Sequence, residues 1–71
     1  MANRTAQYET NMRNDKGRVV GDEAAMLAEA LRHYGVTDRR AVVVTKYGSG
    51  GVSVRARGNS EAAWLWYRRT A

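Results

Sequence analysis

Two runs rich in β-branched residues flank a glycine-rich tetrapeptide in the middle of this chain, and this pattern restricts the possible folds more than any other feature. The first run is Val42–Thr45 and follows Arg39 and Arg40. The tetrapeptide is Gly48–Gly51, and the second run ends at Arg57. Valine and threonine favour strands, and glycine between two such runs is typical of a turn, so the stretch predicts a β-hairpin.

The register of this hairpin decides which side chains share a face of the sheet, because directly opposed residues lie on the same side. The register is the same whether the loop is 49–50 or 48–51. It predicts an apolar face made by Tyr47 with Val52, Thr45 with Val54, and Val43 with Ala56. The other face is then basic and carries Lys46 with Ser53, Val44 with Arg55, and Val42 with Arg57.

The rest of the chain divides into similar short elements. Residues 1–6 carry no periodic signal, and we expect them to fray. Apolar and polar residues alternate from Ala6 to Met12, which predicts a strand. The tetrapeptide Asn14–Gly17 has the composition of a type I turn closed by a left-handed glycine, and the run 18–20 can return beside the first strand.

A helix is predicted after this hairpin. Asp22 is a good N-cap, and Gly35 is positioned to end the helix in a left-handed conformation. Between them an apolar stripe is predicted from residues at helical spacing, namely Ala24, Leu27, Ala28, Leu31 and Tyr34.

A second helix is predicted over residues 62–69, because Asn59–Glu61 repeats a helix start signal and two alanines follow. The alternative is an edge strand, since the aromatic residues after them have high strand propensity. With the helix, the 71 residues form one small α+β domain in the order ββαββα. Its expected architecture is a four-stranded, mostly antiparallel sheet with two helices on one face, around a thin core.

Composition indicates the class of partner. Twelve Lys and Arg against seven Asp and Glu give a net charge of +5 and a pI near 10.2. Such a balance favours polyanions, either nucleic acid or an acidic protein surface. Ten of the twelve cations are arginine, whose fork suits phosphate. The codon usage of a GC-rich genome would also favour arginine over lysine.

Composition also indicates a compartment. Cysteine is absent, which excludes disulfides and thiolate chemistry and favours a reducing compartment. No apolar run is long enough to cross a bilayer, and the first twenty residues lack the apolar segment of a signal peptide. We therefore expect a cytoplasmic protein without a membrane partner.

The side chains that commonly carry catalysis are few. His33 is the only histidine, and it lies in the last turn of the predicted helix, where an imidazole is ordinary. Most of the seven carboxylates fall at caps and turns, and no His and carboxylate group has metal-ligand spacing. We expect no catalytic site, no metal and no cofactor.

The predicted basic face is the first candidate site. Its cations could follow a phosphate backbone with little sequence readout, and they are Arg39, Arg40, Lys46, Arg55 and Arg57. The predicted register turns Tyr47 to the other face, so base stacking is not expected there. The alternative is that these side chains only keep an exposed sheet face soluble.

The second candidate is a protein interface. On a helix Trp64 and Trp66 would point about 200° apart, so a core that takes Trp66 leaves Trp64 outside. Trp64, Tyr67 and Arg68, with Arg69 beside them, then form a contact surface for a two-fold homodimer or an acidic partner. A short, arginine-rich, cysteine-free chain is also typical of small accessory proteins of phages and mobile elements. If the segment is a strand, both tryptophans share one face.

Overall fold

The computed structural model describes residues 6–70, which form a five-stranded antiparallel sheet and one α-helix. The elements in chain order are β1 (Tyr8–Met12), β2 (Asp15–Gly21), α1 (Glu23–Tyr34), β3 (Val42–Lys46), β4 (Gly51–Ala56) and β5 (Leu65–Arg69). A 3₁₀ turn at Arg39–Ala41 precedes β3, and another at Glu61–Ala63 precedes β5. The strand order across the sheet is β2-β1-β5-β4-β3. The chain is thus a small α+β domain.

The predicted ββαββα order is wrong, because the segment expected to be the second helix is the strand β5. The sheet has five strands and one helix, not four strands and two helices. The helix start signal yields only the 3₁₀ turn, and the side chain of Ser60 makes no capping hydrogen bond. Leu65 and Tyr67 alternate into the core, as the aromatic composition of this segment favours. β5 is also not at an edge, since it pairs with both β1 and β4.

The β3–β4 hairpin is confirmed, but its predicted register is wrong by one residue. Lys46 pairs with Val52, Val44 with Val54, and Val42 with Ala56. The turn occupies residues 47–50, where the amide of Tyr47 donates to the carbonyl of Gly51 over 2.8 Å. Because side chains alternate along a strand, this slip moves the β3 side chains to the face opposite the predicted one, while those of β4 keep their predicted faces.

The first hairpin is confirmed as well, with a different turn. Met12 pairs with Asp15, so the turn consists of residues 13–14 and the predicted turn 14–17 is wrong. Gly17 has φ of +85° and lies where the register of β2 shifts against β1. The left-handed glycine therefore makes a β-bulge and does not close the turn. Of residues 1–6, expected to fray, only Ala6 lies within the described range, and it packs against the core.

Helix α1 begins and ends as predicted. The Asp22 carboxylate accepts from the amide of Ala25 over 2.9 Å, and Gly35 has φ of +68° with its amide bonded to the carbonyl of Arg32. The predicted stripe is only partly right. Met26 and Ala30 are fully buried, while Ala24 and Ala28 are exposed.

The core lies between α1 and one face of the sheet. Its buried apolar residues are Tyr8, Met26, Ala30, Val42, Val52, Val54, Leu65 and Tyr67. All those from the strands lie at alternating positions, so one face of the sheet is turned towards the helix. None of the helices among residues 6–70 has the length and apolar character needed to span a bilayer.

Candidate binding face of the sheet

The second face of the sheet is not covered by any helix among residues 6–70. We call it the open face, and the strand positions on it are Glu9, Asn11, Lys16, Val19, Val43, Thr45, Gly51, Ser53, Arg55, Trp66 and Arg68. Most of these residues are exposed or half-buried, whereas the opposite positions are mostly buried. A sheet with one covered and one free face leaves that free face available for a ligand.

Three aromatic rings lie side by side on the open face and form what we call the aromatic stripe. The ring centroids of Tyr47 and Trp66 are 6.0 Å apart with planes inclined by 26°, and those of Trp66 and Trp64 are 5.8 Å apart. Both spacings lie in the range of offset aromatic contacts. The stripe crosses β5 and reaches the turn between β3 and β4.

Each ring is positioned by its own strand or turn. Trp64 is an extended residue directly before β5 and Trp66 is the second residue of β5, so the two side chains point to the same side of the sheet. Tyr47 lies at the first position of the turn, and its hydroxyl is 3.2 Å from Oγ of Ser53. Ser53 is opposite Trp66 on β5 and is only 1% exposed, although it lies on the open face. The rings therefore form a layer above it.

One arginine side chain adjoins the stripe, and a second follows it at the end of the same strand. The guanidinium carbon of Arg55 lies 5.3 Å from the ring centroid of Trp64, a cation–π arrangement, and the Trp64 indole NH donates to the carbonyl of Asn59 over 3.2 Å. Arg57 follows at the end of β4, and its Nε donates to the carbonyl of Arg40 over 2.8 Å. Within residues 6–70, neither Arg55 nor Arg57 forms an ion pair with a carboxylate. Their charges are therefore available to an external anion.

Of the other three predicted cations, Lys46 is on the opposite side of the sheet from Arg55, and Arg39 and Arg40 lie in the 3₁₀ turn before β3. Lys46 lies on the helix side, where its Nζ is 2.5 Å from Glu23, and this hydrogen bond raises the pKa of Lys46 and lowers the pKa of Glu23. Arg40 pairs with Asp38 at 3.1 Å, and Nη1 of Arg39 donates to the carbonyl of Val42 over 3.4 Å. The register slip is the reason that Lys46 and Arg55 are separated.

The residues of the predicted protein interface are also divided between the two faces. Trp64 is half-buried in the stripe, and Arg68 lies on the open face beside Glu9, to which its guanidinium is ion-paired. Tyr67 is on the helix side and 1% exposed, with its hydroxyl 3.4 Å from Glu29. Burial raises the pKa of the Tyr67 phenol, and the nearby Glu29 carboxylate adds to the effect. Its side chain is thus part of the core.

The sequence analysis missed Trp66 and Tyr47 as members of the candidate site. The alternative for residues 62–69, a strand with both tryptophans on one face, contained two of the three rings. The third required the correct hairpin register, which places Tyr47 beside Trp66.

The remaining chemistry is limited. His33 is exposed and its ring contacts Tyr34 edge to face, with centroids 4.9 Å apart. Among residues 6–70, no group of three or more His, Asp or Glu side chains is placed to hold a metal ion. The open face can therefore stack planar groups and attract anions. We found no family model, curated protein or solved structure that matches this chain.

Proposed function

We propose that this protein binds single-stranded nucleic acid on the open face, with bases stacked on the aromatic stripe and phosphates held by Arg55 and Arg57. The observation that carries the proposal is the group of three rings, with the Arg55 guanidinium against Trp64, on an uncovered sheet face. Aromatic platforms flanked by cations are the common solution for binding single strands. The partner is still nucleic acid, as predicted from the sequence, but bases stacked on the rings now contribute to binding in addition to phosphate contacts.

The free energy of such binding comes from two sources. Stacking of a base on an aromatic side chain contributes about 1–3 kcal/mol. The net charge of +5 adds long-range attraction for a polyanion, and salt weakens it because counterions are released on binding. From two or three stacked bases with a few phosphate contacts we expect micromolar affinity, on the order of 8 kcal/mol.

A single strand suits the stripe better than a duplex. In a duplex both faces of each base are already stacked on neighbouring pairs, so a flat row of rings can contact only the edges of the helix. An extended strand exposes whole base faces, which match the flat aromatic surfaces of Trp64 and Trp66. We expect weak, salt-sensitive binding to duplexes and tighter binding to single strands of the same length.

The test is fluorescence anisotropy of labelled oligonucleotides. Trp66→Ala is expected to weaken single-strand binding about tenfold or more, by about 1.4 kcal/mol, because it removes the central ring. Val19→Ala is the matched control, since Val19 is an exposed apolar residue of the same face on the edge strand β2. Equal affinities for both variants and the parent chain would refute the proposal.

Charge is tested separately. Arg55→Gln is expected to weaken binding and to lower its salt dependence. Arg32→Gln, the control, removes one charge from the exposed surface of α1 and should leave the affinity and its salt dependence nearly unchanged. Binding that does not respond to salt between about 50 and 200 mM would contradict any role for phosphate.

Protein contact is the second candidate, and the exposure of Val19 at 75% on the same face favours it. An acidic partner or a second copy in a two-fold homodimer would cover the stripe together with Arg68. In that case Trp64→Ala abolishes association and leaves nucleic-acid affinity unchanged. Sedimentation of the parent chain at increasing concentration tests the homodimer directly.

A further inference from the structure

A small pocket lies beside the end of the aromatic stripe at Tyr47. Its volume is about 190 Å³, and it is lined by Tyr8, Lys46, Tyr47, Gly48, Gly50, Gly51, Val52 and Arg69. Tyr47 belongs to both features, because it lines the pocket and its ring stacks on Trp66. The other strand residues of the lining, Tyr8, Lys46, Val52 and Arg69, lie at helix-side positions, so Tyr47 is the point at which a ligand would pass from the stripe to the pocket.

The pocket is rich in donors and positive charge. Lys46 and Arg69 both line it, and the charge of Arg69 is near enough to oppose protonation of Lys46. Tyr8 adds a phenol hydroxyl, which lies 3.5 Å from Glu23. Lys46 and the Tyr8 hydroxyl both contact Glu23, so an anion that displaces this carboxylate would meet the lysine and the hydroxyl, with Arg69 also lining the site.

The backbone of the turn between β3 and β4 forms one side of the pocket. Gly48, Gly50 and Gly51 have no side chains, and a Cβ placed on Gly48 would meet nothing within 4 Å. A ligand can thus approach the main chain closely at this point. The opposing feature is Glu23, which already pairs with Lys46 and competes with an external anion.

We propose that this pocket binds a phosphate group of the strand whose bases lie on the aromatic stripe. The inference rests on the proposed function, since the stripe supplies the neighbouring contacts. Phosphate is chosen because the lining combines two cations, a hydroxyl and bare backbone. The phosphate has two possible sources, a chain terminus or the interior of the backbone.

Three variants test the pocket by their effect on oligonucleotide affinity. Lys46→Gln is expected to weaken binding about tenfold, as loss of one charge-assisted contact would. Glu23→Gln breaks the same internal ion pair but leaves the lysine free, so it is expected to strengthen binding. Arg32→Gln removes one charge from the exposed surface of α1 and serves as the charge control. Weaker binding by Lys46→Gln together with stronger binding by Glu23→Gln would distinguish a binding role from a loss of structure, because both variants break the same ion pair. The inference is overturned if Lys46→Gln has no more effect than Arg32→Gln, or if both pocket variants weaken binding alike.

The source of the phosphate is tested with one oligonucleotide in three forms, carrying a 5′-phosphate, a 3′-phosphate or neither. Tighter binding of one phosphorylated form, lost in Lys46→Gln, assigns the pocket to a chain end. Equal binding of all forms with the variant effects intact assigns it to an internal phosphate.

Failure of the pocket and failure of the proposed function can be distinguished. If no oligonucleotide binds, the proposed function is refuted. The pocket is then examined alone, by NMR titration of the amides of Gly48, Gly50 and Gly51 with inorganic phosphate. Shifts of these amides that Lys46→Gln abolishes support a phosphate site, and their absence overturns it.

Discussion

Single residues at special backbone positions set the limits of the helix. Gly35 has φ of +68°, a conformation that strains residues with a Cβ. Its amide donates a hydrogen bond to the carbonyl of Arg32. No atom lies within 4 Å of a Cβ built at this position, so a substitution there would test backbone strain alone.

Gly35→Ala is expected to lower the free energy of unfolding by about 1 kcal/mol, because the Cβ of alanine makes the left-handed conformation strained. Gly48→Ala is the matched control, since the space around Gly48 is equally open and its φ is not left-handed. Urea unfolding followed by circular dichroism measures both. Equal midpoints for the two variants would show that φ at residue 35 does not limit stability.

Helix α1 is tied to the sheet by its own carboxylates as well as by packing. Glu29 accepts two hydrogen bonds from Arg18 of β2, at 2.7 and 3.2 Å, and the hydroxyl of Tyr67 lies 3.4 Å away. The hydrogen bond from Arg18 lowers the pKa of Glu29, and that from Lys46 lowers the pKa of Glu23. These contacts join α1 to both edges of the sheet.

Stability is therefore expected to fall in acid. The folded protein keeps Glu23 and Glu29 ionised to lower pH than the unfolded chain, whose carboxyl groups titrate near 4.5. The contribution of these two carboxylates to the free energy of unfolding is complete above the unfolded-state pKa. It is lost as the pH falls through their lowered pKa values in the folded protein. Thermal unfolding at several pH values should show this loss reduced in Glu29→Gln. Glu61→Gln, at an exposed position that forms no ion pair within residues 6–70, should behave as the parent chain.

The whole molecule is joined through β5. The two hairpins pair within themselves, and β5 lies between β1 and β4 with both neighbours antiparallel. Without this strand the sheet would consist of two separate ribbons, which are marginal alone. The last strand of the chain therefore creates the continuous sheet, and with it the aromatic stripe.

Amide hydrogen exchange should be slower in the central strand β5 than in an edge strand. Backbone amides of Tyr67 and Arg68 in the central strand are expected to exchange at least about tenfold more slowly than that of Thr45, which points towards β4 in the edge strand β3. The comparison is made within one sample by NMR. Faster exchange in β5 than in β3 would mean that the two hairpins are stable without the strand between them.

Sequence alone determined the features that depend on neighbouring residues. The start and end of α1 follow from Asp22 and Gly35, the two hairpins from their strand and turn residues, and the attraction for anions from the net charge. These are local choices of backbone conformation or sums over composition. The helix face was half right, because Met26 and not Ala24 meets the sheet.

Only the tertiary structure decided the secondary structure of residues 62–69, the register of the β3–β4 hairpin and which side chains lie on the open face. Residues 65–69 become a strand because Thr10 and Val52, distant in sequence, provide partners on both sides of Tyr67. The register then follows from burying the valines at 42, 44, 52 and 54 against α1. Capping signals near Ser60 are worth about 1 kcal/mol, less than the burial of Leu65 and Tyr67 together with two rows of sheet hydrogen bonds. Long-range packing outweighed the local signal, and it placed the aromatic rings and Arg55 on the same side of the sheet.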